Sequence, residues 1–174
     1  KRRLVMFGEY IPFEKALPIM KYLSPIGGSF TAGVEPVQFE VPGVTEKIAP
    51  LICFEDAFPQ GGREHVSIKT GLIVNLTNDG WFGEGVEQWQ HAANAVFRAV
   101  ENGVPLVRCA NNGLTCWIDS LGRVRRYYGQ ETGDIYGAGF VSFEVPLGQA
   151  FGQTAYNNMG DVFGWTCFIL FISV

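Results

Sequence analysis

Apolar and polar residues follow each other along this chain in blocks whose lengths are those of buried strands. Residues 48–52 and 71–76 are short apolar runs, and each ends abruptly on polar groups. Such runs are typical of strands inside a sheet, and a plausible helix between them predicts a strand–helix–strand unit. Because the carboxyl ends of parallel strands meet at one edge of a sheet, we expect Cys53, Asn78 and Asp79 at the same edge.

The segment Glu87–Asn102 has the clearest helical pattern in the chain. Gly103 follows it directly, where a glycine commonly ends a helix. His91 lies off the apolar stripe of this helix, which indicates a capping or surface role. The predicted buried stripe consists of apolar residues at three- and four-residue steps, namely Trp89, Ala92, Ala93, Val96, Phe97 and Val100.

Several shorter elements complete the prediction. Strands are predicted at residues 4–7, 104–110 and 139–145, and a short helix, broken or kinked near Pro18, at residues 13–23. This order of elements predicts an α/β sandwich whose sheet mixes parallel and antiparallel pairs. The remaining predictions are an edge strand with a turn at Pro42 and Gly43, a helix at 63–70, and a hairpin joining 114–119 to 123–128.

The C-terminal segment allows two interpretations. Residues 162–174 are almost wholly apolar, but 13 residues are too few to cross a membrane, which takes about 20. The segment is either a terminal strand or helix of the core, or the first half of a truncated transmembrane helix. We favour the transmembrane helix, with Trp165 near the membrane interface, a linker at 151–161 and one domain at 1–150.

Composition narrows the kinds of partner and site. The net charge of −4 gives no support for nucleic-acid binding. The four cysteines form no CxxC pair and the two histidines, His65 and His91, lie far apart, so no standard zinc spacing is present. Cys109 and Cys116 have no acid or base nearby in sequence that would activate a thiol, so they are predicted to be inert core residues.

Cys53 ends a predicted buried strand, and Glu55 and Asp56 follow closely. Core packing is one explanation, because free cysteine is a common small core residue. A reactive thiol is the other. Acyl transfer through cysteine needs a thiolate, and a free thiol with a pKa of about 8.5 is mostly protonated at neutral pH. A carboxylate can remove that proton, and an ammonium can stabilise the thiolate.

Taken together, these motifs resemble the nitrilase superfamily of carbon–nitrogen hydrolases, and within it the apolipoprotein N-acyltransferase family. The resemblance runs from Lys1 to about residue 145, with the motifs in the family's order and spacing. The strings at 7–12 and 78–83 separate the acyltransferases from soluble nitrilases and amidases. The matching pieces are Lys1 with Leu-Val-Met-Phe-Gly-Glu-Tyr-Ile-Pro at 4–12, Ile-Cys-Phe-Glu at 52–55, Asn-Asp-Gly-Trp-Phe-Gly at 78–83, and residues 89–91, 98–101 and 111–113.

The resemblance implies a nitrilase-like four-layer α-β-β-α sandwich with mixed sheets and a Glu-Lys-Cys triad. Cys53 would be the nucleophile, Lys1 the catalytic lysine, and Glu9 a second glutamate near the active site. The family's general-base glutamate would lie on a strand upstream of Lys1, so we expect the chain by itself to be inactive. The resemblance further implies that substrate binding or the shape of the site involves Phe54, Glu55, Asn78, Asp79 and Trp81. Phe54 stands where the family often has tyrosine, and its backbone N–H, with Lys1, would hold the oxyanion.

The activity that the resemblance implies is transfer of an acyl chain from a glycerophospholipid, through a cysteine thioester, to the N-terminal amine of an apolipoprotein. The enzyme would be a monomer on the periplasmic side of a bacterial inner membrane. Its partners would be the membrane, a phospholipid acyl donor and an apolipoprotein acceptor. No metal or organic cofactor is implied. Two alternatives stay open: a soluble hydrolase acting on a nitrile or small amide with the same triad, and a non-catalytic binding domain with the same sandwich.

Overall fold

The computed structural model describes residues 1–148 and 153–173, which form two compact units. The first unit, Lys1–Pro36, is built mainly of turns and a 3-10 helix at Pro18–Leu23. That helix replaces the longer one predicted at 13–23, because a proline is tolerated in the first turn of a helix but not in its interior.

The strand predicted at residues 4–7 is not formed. The chain turns back instead, and the amides of Gly8, Glu9 and Tyr10 all donate to the carbonyl oxygen of Val5. Only an isolated bridge joins Met6 to Tyr10. The chain reverses direction within these residues, so the apolar run at 4–7 forms part of a turn rather than a strand.

The second unit, Val37–Val174, contains a six-stranded sheet whose order follows the chain. The β2–β3 and β3–β4 pairs are parallel and the other three are antiparallel, so the predicted mixed sheet is confirmed. The predicted edge strand and hairpin are also confirmed. The strands are β1 (Phe39–Glu40), β2 (Lys47–Ile52), β3 (Thr70–Asn78), β4 (Leu106–Asn111), β5 (Cys116–Ile118) and β6 (Val124–Tyr127).

Two tight turns form where they were predicted. Gly43 has φ +81°, and the amide of Val44 donates to Val41 across the turn. Gly122, also at φ +81°, closes the hairpin between β5 and β6. Both positions lie in the left-handed region, which glycine enters without a steric penalty.

Helices connect the parallel strands. Helix α1 (Pro59–His65) follows β2, and α2 (Glu87–Asn102) follows β3. The helix predicted at 63–70 therefore begins earlier, because Pro59 favours a first helical turn. Gly62 lets α1 approach α2 closely: a Cβ at that position would lie 2.8 Å from the Cδ of Arg98.

Helix α2 has the predicted bounds, and Gly103 ends it at φ +65°. The predicted buried face was right only in part: Ala92 is buried and Val96 packs against the core, but the other four residues of the stripe are exposed. Phe97 is 59% exposed and Trp89 is 47% exposed. The buried face instead combines alanines, which pack on the apolar core of the sheet, with polar side chains, which bond to groups on other elements. The residues buried along this helix are Gln88, His91, Ala92, Ala95, Arg98, Ala99 and Asn102.

The two faces of the sheet differ in burial. Leu51, Ile73 and Leu106 are fully buried on the face that α2 covers. Leu76 and Cys109 lie at exposed positions, and they alternate with buried neighbours along their strands. Cys116 is buried as predicted, but Cys109 is exposed, so the prediction of a core position was wrong for Cys109. Strand alternation places it on the less buried face.

The strand predicted at residues 139–145 is also not formed. Phe140 is 90% exposed, and within the described ranges no strand pairs with this stretch. Val141, Phe143 and Val145 alternate with the exposed Ser142 and Glu144, which is the pattern of a strand. The stretch is not a strand because no neighbouring strand among the described residues pairs its backbone groups.

Two helices close the described part of the chain, α3 (Ala155–Met159) and α4 (Val162–Ile172). Arg63 on α1 anchors α3 by donating to the carbonyl of Asn157 at 2.7 Å. All of α4 is exposed, and no helix among the residues that the structure describes is long and apolar enough to cross a membrane. Residues 149–152 and 174, which fall in the predicted domain end, linker and terminal helix, lie outside the described residues.

Candidate active site

Cys53 begins a tight turn at the carboxyl end of β2. It lies one residue beyond Ile52, the last residue of β2 paired with β3, and opens the 3-10 helix Cys53–Ala57. Its φ of +54° is in the left-handed region, which costs an L-residue about 1–2 kcal/mol. Such backbone strain persists only where the surroundings enforce it, and it clusters at functional sites.

Two side chains hold this turn. Glu55 is 2% exposed, and its Oε2 accepts the backbone N–H of Ile52 at 2.8 Å. Asn75 on β3 donates its Nδ2 to the carbonyl oxygen of Cys53 at 3.1 Å. Phe54 is partly exposed, and its ring packs edge-on against Phe58 with centroids 5.4 Å apart. The predicted site residues Phe54 and Glu55 therefore belong to the same turn as Cys53.

The ends of β3 and β4 lie beside the end of β2, as predicted for one sheet edge. Asn78 ends β3, and its Oδ1 accepts from the side chain of Asn111 at 2.8 Å. Trp81, in the next turn, is 75% exposed. Asp79 differs from its predicted place at the rim: it is fully buried and faces inwards, because its carboxylate is bound by other charged groups.

Lys1 and Glu9, both predicted site residues, form an ion pair in the first unit. The Nζ of Lys1 lies 2.6 Å from each carboxylate oxygen of Glu9. Glu9 also accepts the backbone N–H of Val5 at 2.8 Å. The lysine side chain is only 11% exposed, so the carboxylate is its main charged partner in a half-buried position.

A buried ionic cluster lies behind the sheet edge. His91 on α2 stands between two carboxylates, with Nε2 2.9 Å from Asp56 and Nδ1 2.8 Å from Asp79. Arg108 on β4 binds the same two carboxylates at 2.7 Å each. Two carboxylates, a guanidinium and a protonated imidazole sum to zero net charge, which makes their complete burial tolerable.

His91 is thus neither a cap nor a surface residue, and that prediction was wrong. Burial alone lowers the pKa of His91, but its hydrogen bonds to Asp56 and Asp79 outweigh burial and raise the pKa to about 9. For Asp79, burial raises the pKa, but the hydrogen bond from His91 and the charge of Arg108 bring it below its usual value. The imidazole therefore donates from both nitrogens at neutral pH.

This pKa makes the stability of the fold depend on pH. A histidine whose pKa rises from 6.5 to about 9 on folding stabilises the native state fully below pH 6.5, and that stabilisation is lost as pH rises through 9. We expect a loss of about 3 kcal/mol in the free energy of unfolding between these limits, measured by urea titrations at pH 6 to 10. The His91→Gln variant is the control, and its difference from wild type should shrink over the same range. A constant difference would contradict the shift.

The sequence interpretation missed Asp56, Asn75 and Arg108 as members of the site region. One signal for Arg108 was available, since it is the only charge inside the apolar run 104–110. The polar residues Gln88, His91, Arg98 and Asn102 also recur at helical spacing, which marks a second, polar stripe on α2. In the ranges 1–148 and 153–173, no three acidic, histidine or cysteine side chains are grouped to hold a metal ion.

Comparison with known proteins identifies the family. Residues 1–142 match the carbon-nitrogen hydrolase family. This chain belongs to the carbon-nitrogen hydrolase family. Among solved structures, the amidase from Nesterenkonia sp. AN1 matches with a TM-score of 0.51 and 19% identity, over 73% of this chain and 45% of that chain. That likeness supports the nitrilase-like α/β fold of this family member.

Curated relatives of this chain carry the name apolipoprotein N-acyltransferase, which confirms the predicted resemblance. The protein from Geobacter metallireducens is 41% identical over 96% of this chain and 30% of its own length. The proteins from Bradyrhizobium diazoefficiens and Haemophilus influenzae are 38% and 32% identical over 93% and 99% of this chain. The chain thus spans about 30% of the length of the relatives it matches.

Proposed function

We propose that this chain is part of an enzyme that transfers an acyl chain from a glycerophospholipid to the N-terminal amine of an apolipoprotein. The observation that carries the proposal is Cys53, held in a left-handed turn at a strand end of a carbon-nitrogen hydrolase chain. The names of relatives up to 41% identical support acyl transfer to an amine of an apolipoprotein over other reactions of the family. The glycerophospholipid donor is the one that the sequence resemblance implies.

The reaction would proceed in two steps through a thioester. The Cys53 thiolate attacks the ester carbonyl of the phospholipid, a C–S bond forms, the ester C–O bond breaks, and the lysophospholipid leaves with a proton. The α-amine of the acceptor then attacks the thioester carbonyl. A C–N bond forms, the C–S bond breaks, and the proton lost by the amine passes through the general base to the departing thiolate, which regenerates the thiol.

We assign the remaining roles by chemistry. The base that deprotonates Cys53 would be the family's upstream glutamate. Lys1 would stabilise the thiolate and, with the N–H of Phe54, the oxyanion. Glu9 would hold Lys1, a role that their 2.6 Å ion pair supports.

The rest of the predicted site would shape the substrate's surroundings. Glu55 would brace the turn that carries the nucleophile, as its hydrogen bond to Ile52 suggests. Asn78 and the exposed Trp81 would line the sheet edge that faces substrate. Asp79 would shape the site from behind, through the ionic cluster to which it belongs.

We also propose the wider architecture that the resemblance implies. A second sheet would pack on the face that carries Leu76, which is 48% exposed, and complete the four-layer sandwich. Residues 1–150 would form the catalytic domain, 151–161 a linker, and 162–174 the start of a transmembrane helix. The wholly exposed, apolar α4 supports a membrane anchor, with the catalytic domain on the periplasmic side of a bacterial inner membrane and the enzyme a monomer.

Trapping the thioester tests the proposal. Full-length protein incubated with acyl-labelled phospholipid should carry label on the peptide containing Cys53, and neutral hydroxylamine should release it. A peptide with a lipid-modified N-terminal cysteine should then take up the label as a hydroxylamine-resistant amide. Labelled free fatty acid without amide would indicate a hydrolase instead, and absence of any protein-bound label would indicate a non-catalytic domain.

A further inference from the structure

Asn75 occupies an unusual position for an amide side chain. It lies in the middle of β3 and is fully buried, directly opposite Leu51 of β2 on one side and Arg108 of β4 on the other. Its Nδ2 reaches across to β2, 3.4 Å from the carbonyl oxygen of Leu51 and 3.1 Å from that of Cys53. A buried polar side chain is costly unless its groups are paired, so this amide is placed for those bonds rather than for packing.

The carbonyl of Cys53 needs such a partner. Pairing of β2 with β3 ends at Ile52, and Cys53 then leaves the sheet with φ +54°. The Nδ2 group of Asn75 supplies the hydrogen bond that a backbone N–H of the neighbouring strand would otherwise donate to this carbonyl. It therefore acts on the one peptide unit where the chain departs from strand geometry.

A second set of contacts fixes which way the amide faces. Its Oδ1 accepts from the Nη1 of Arg108 at 2.8 Å, so its Nδ2 must point towards β2. The same Nη1 donates to Asp56 at 2.7 Å, and Asp56 lies in the same 3-10 turn as Cys53. The turn is thus held at the carbonyl of Cys53 and, three residues later, at the carboxylate of Asp56.

The held carbonyl belongs to the peptide unit that also contains the N–H of Phe54. A peptide unit is planar and trans, so its C=O and N–H point in opposite directions. Fixing the carbonyl of Cys53 towards Asn75 therefore fixes the N–H of Phe54 away from it. In the proposed function that N–H is a donor to the oxyanion.

We propose that Asn75 is a positioning residue for acyl transfer: it orients the peptide between Cys53 and Phe54 so that the N–H of Phe54 is preset to receive the oxyanion. Arg108 supports it by fixing the orientation of its amide. This inference rests on the proposed function for the nature of the reaction, but it concerns any carbonyl that Cys53 attacks.

Two rates measured on full-length protein test the inference. Acylation of Cys53 by p-nitrophenyl butyrate develops an oxyanion, whereas alkylation by iodoacetamide displaces iodide at a saturated carbon and develops none. In Asn75→Asp, which keeps the shape of the side chain but removes the donor, we expect acylation to fall by about 10²-fold, within the range for loss of an oxyanion donor. Alkylation of Cys53, followed by peptide mass spectrometry, should keep the wild-type rate.

The control is Asn102→Asp, the same change at another fully buried asparagine, whose amide donates to Arg98 within α2. It should leave both rates unchanged. If Asn75→Asp does not fold, Asn75→Ser is measured instead, since its shorter side chain cannot reach the carbonyl of Cys53. Equal loss of both rates would reduce Asn75 to a packing residue, and an unchanged acylation rate would refute the inference outright.

The test of Asn75 can be interpreted whether or not the proposed function is correct. If wild-type protein is acylated by the p-nitrophenyl ester but transfers nothing from phospholipid, the proposed donor is wrong while the role of Asn75 is still tested. If phospholipid transfer occurs and Asn75→Asp acylates at the wild-type rate, the function stands and the positioning role fails.

Discussion

Replacing Cys53 by serine is expected to lower acyl transfer by the full-length protein by at least about 10³-fold, because removal of a covalent nucleophile leaves only the contribution of binding and oxyanion stabilisation. A serine hydroxyl has nearly the same shape as the thiol but ionises far less readily, so the fold should be retained while the nucleophile is lost. The measurement is the rate of labelled amide formation, together with the protein-bound label that hydroxylamine releases.

Cys109→Ser is the matched control for that prediction. Cys109 is also a free cysteine, on the neighbouring strand β4, and serine would keep its shape beneath the proposed second sheet. Its replacement should leave transfer and thioester label at wild-type levels. Label that persists in Cys53→Ser, or that disappears in Cys109→Ser, would show that Cys53 does not carry the acyl group.

Replacing Arg108 by methionine is expected to destabilise the fold by about 3–5 kcal/mol, the usual cost of removing one partner from a buried ion pair. Arg108 is fully buried and binds Asp56 and Asp79 at 2.7 Å each. Methionine fills much of the same volume, so the loss reflects two carboxylates left without their guanidinium rather than a cavity. Urea denaturation at pH 7 measures the effect.

Arg125→Met provides the comparison for Arg108→Met. Arg125 also binds a carboxylate at 2.7 Å, that of Asp119, but its side chain is 45% exposed. Exposed ion pairs contribute about 0–1 kcal/mol, because water already stabilises both charges. Similar losses in the free energy of unfolding for the two variants would mean that a buried ion pair stabilises this fold no more than an exposed one.

The bounds of α2 could be predicted from sequence, but its buried face could not be predicted from apolar periodicity alone. Trp89 and Phe97 belong to the predicted apolar stripe, yet Trp89 is 47% exposed and Phe97 is 59% exposed. The helix packs through small alanines and through two charged side chains: His91 binds the carboxylate of Asp56, and Arg98 donates to the backbone carbonyl of Asp56 while pairing with Glu101 on α2 itself. A hydrophobic stripe assumes a wholly apolar surface opposite the helix, whereas here that surface is partly apolar and partly ionic.

The parallel strands and their common edge could be predicted because each strand is a short apolar run ending on polar groups. That pattern correctly placed Cys53 and Asn78 at neighbouring strand ends. Asn75 and Arg108 were missed because a polar side chain within an apolar run has no partner visible in sequence. Their partners lie 22 to 52 residues away along the chain, so only the folded arrangement reveals what each one binds.

The two outermost strands of the sheet affect how the molecule behaves at high concentration. In the described part of the chain, β1 has only two residues, and β6 exposes Arg125 and Arg126. A free strand edge can template growth of fibrils by recruiting strands of other molecules, and short or charged edges resist this. The charged arginines of β6 and the shortness of β1 therefore make both edges of the sheet poor templates for aggregation.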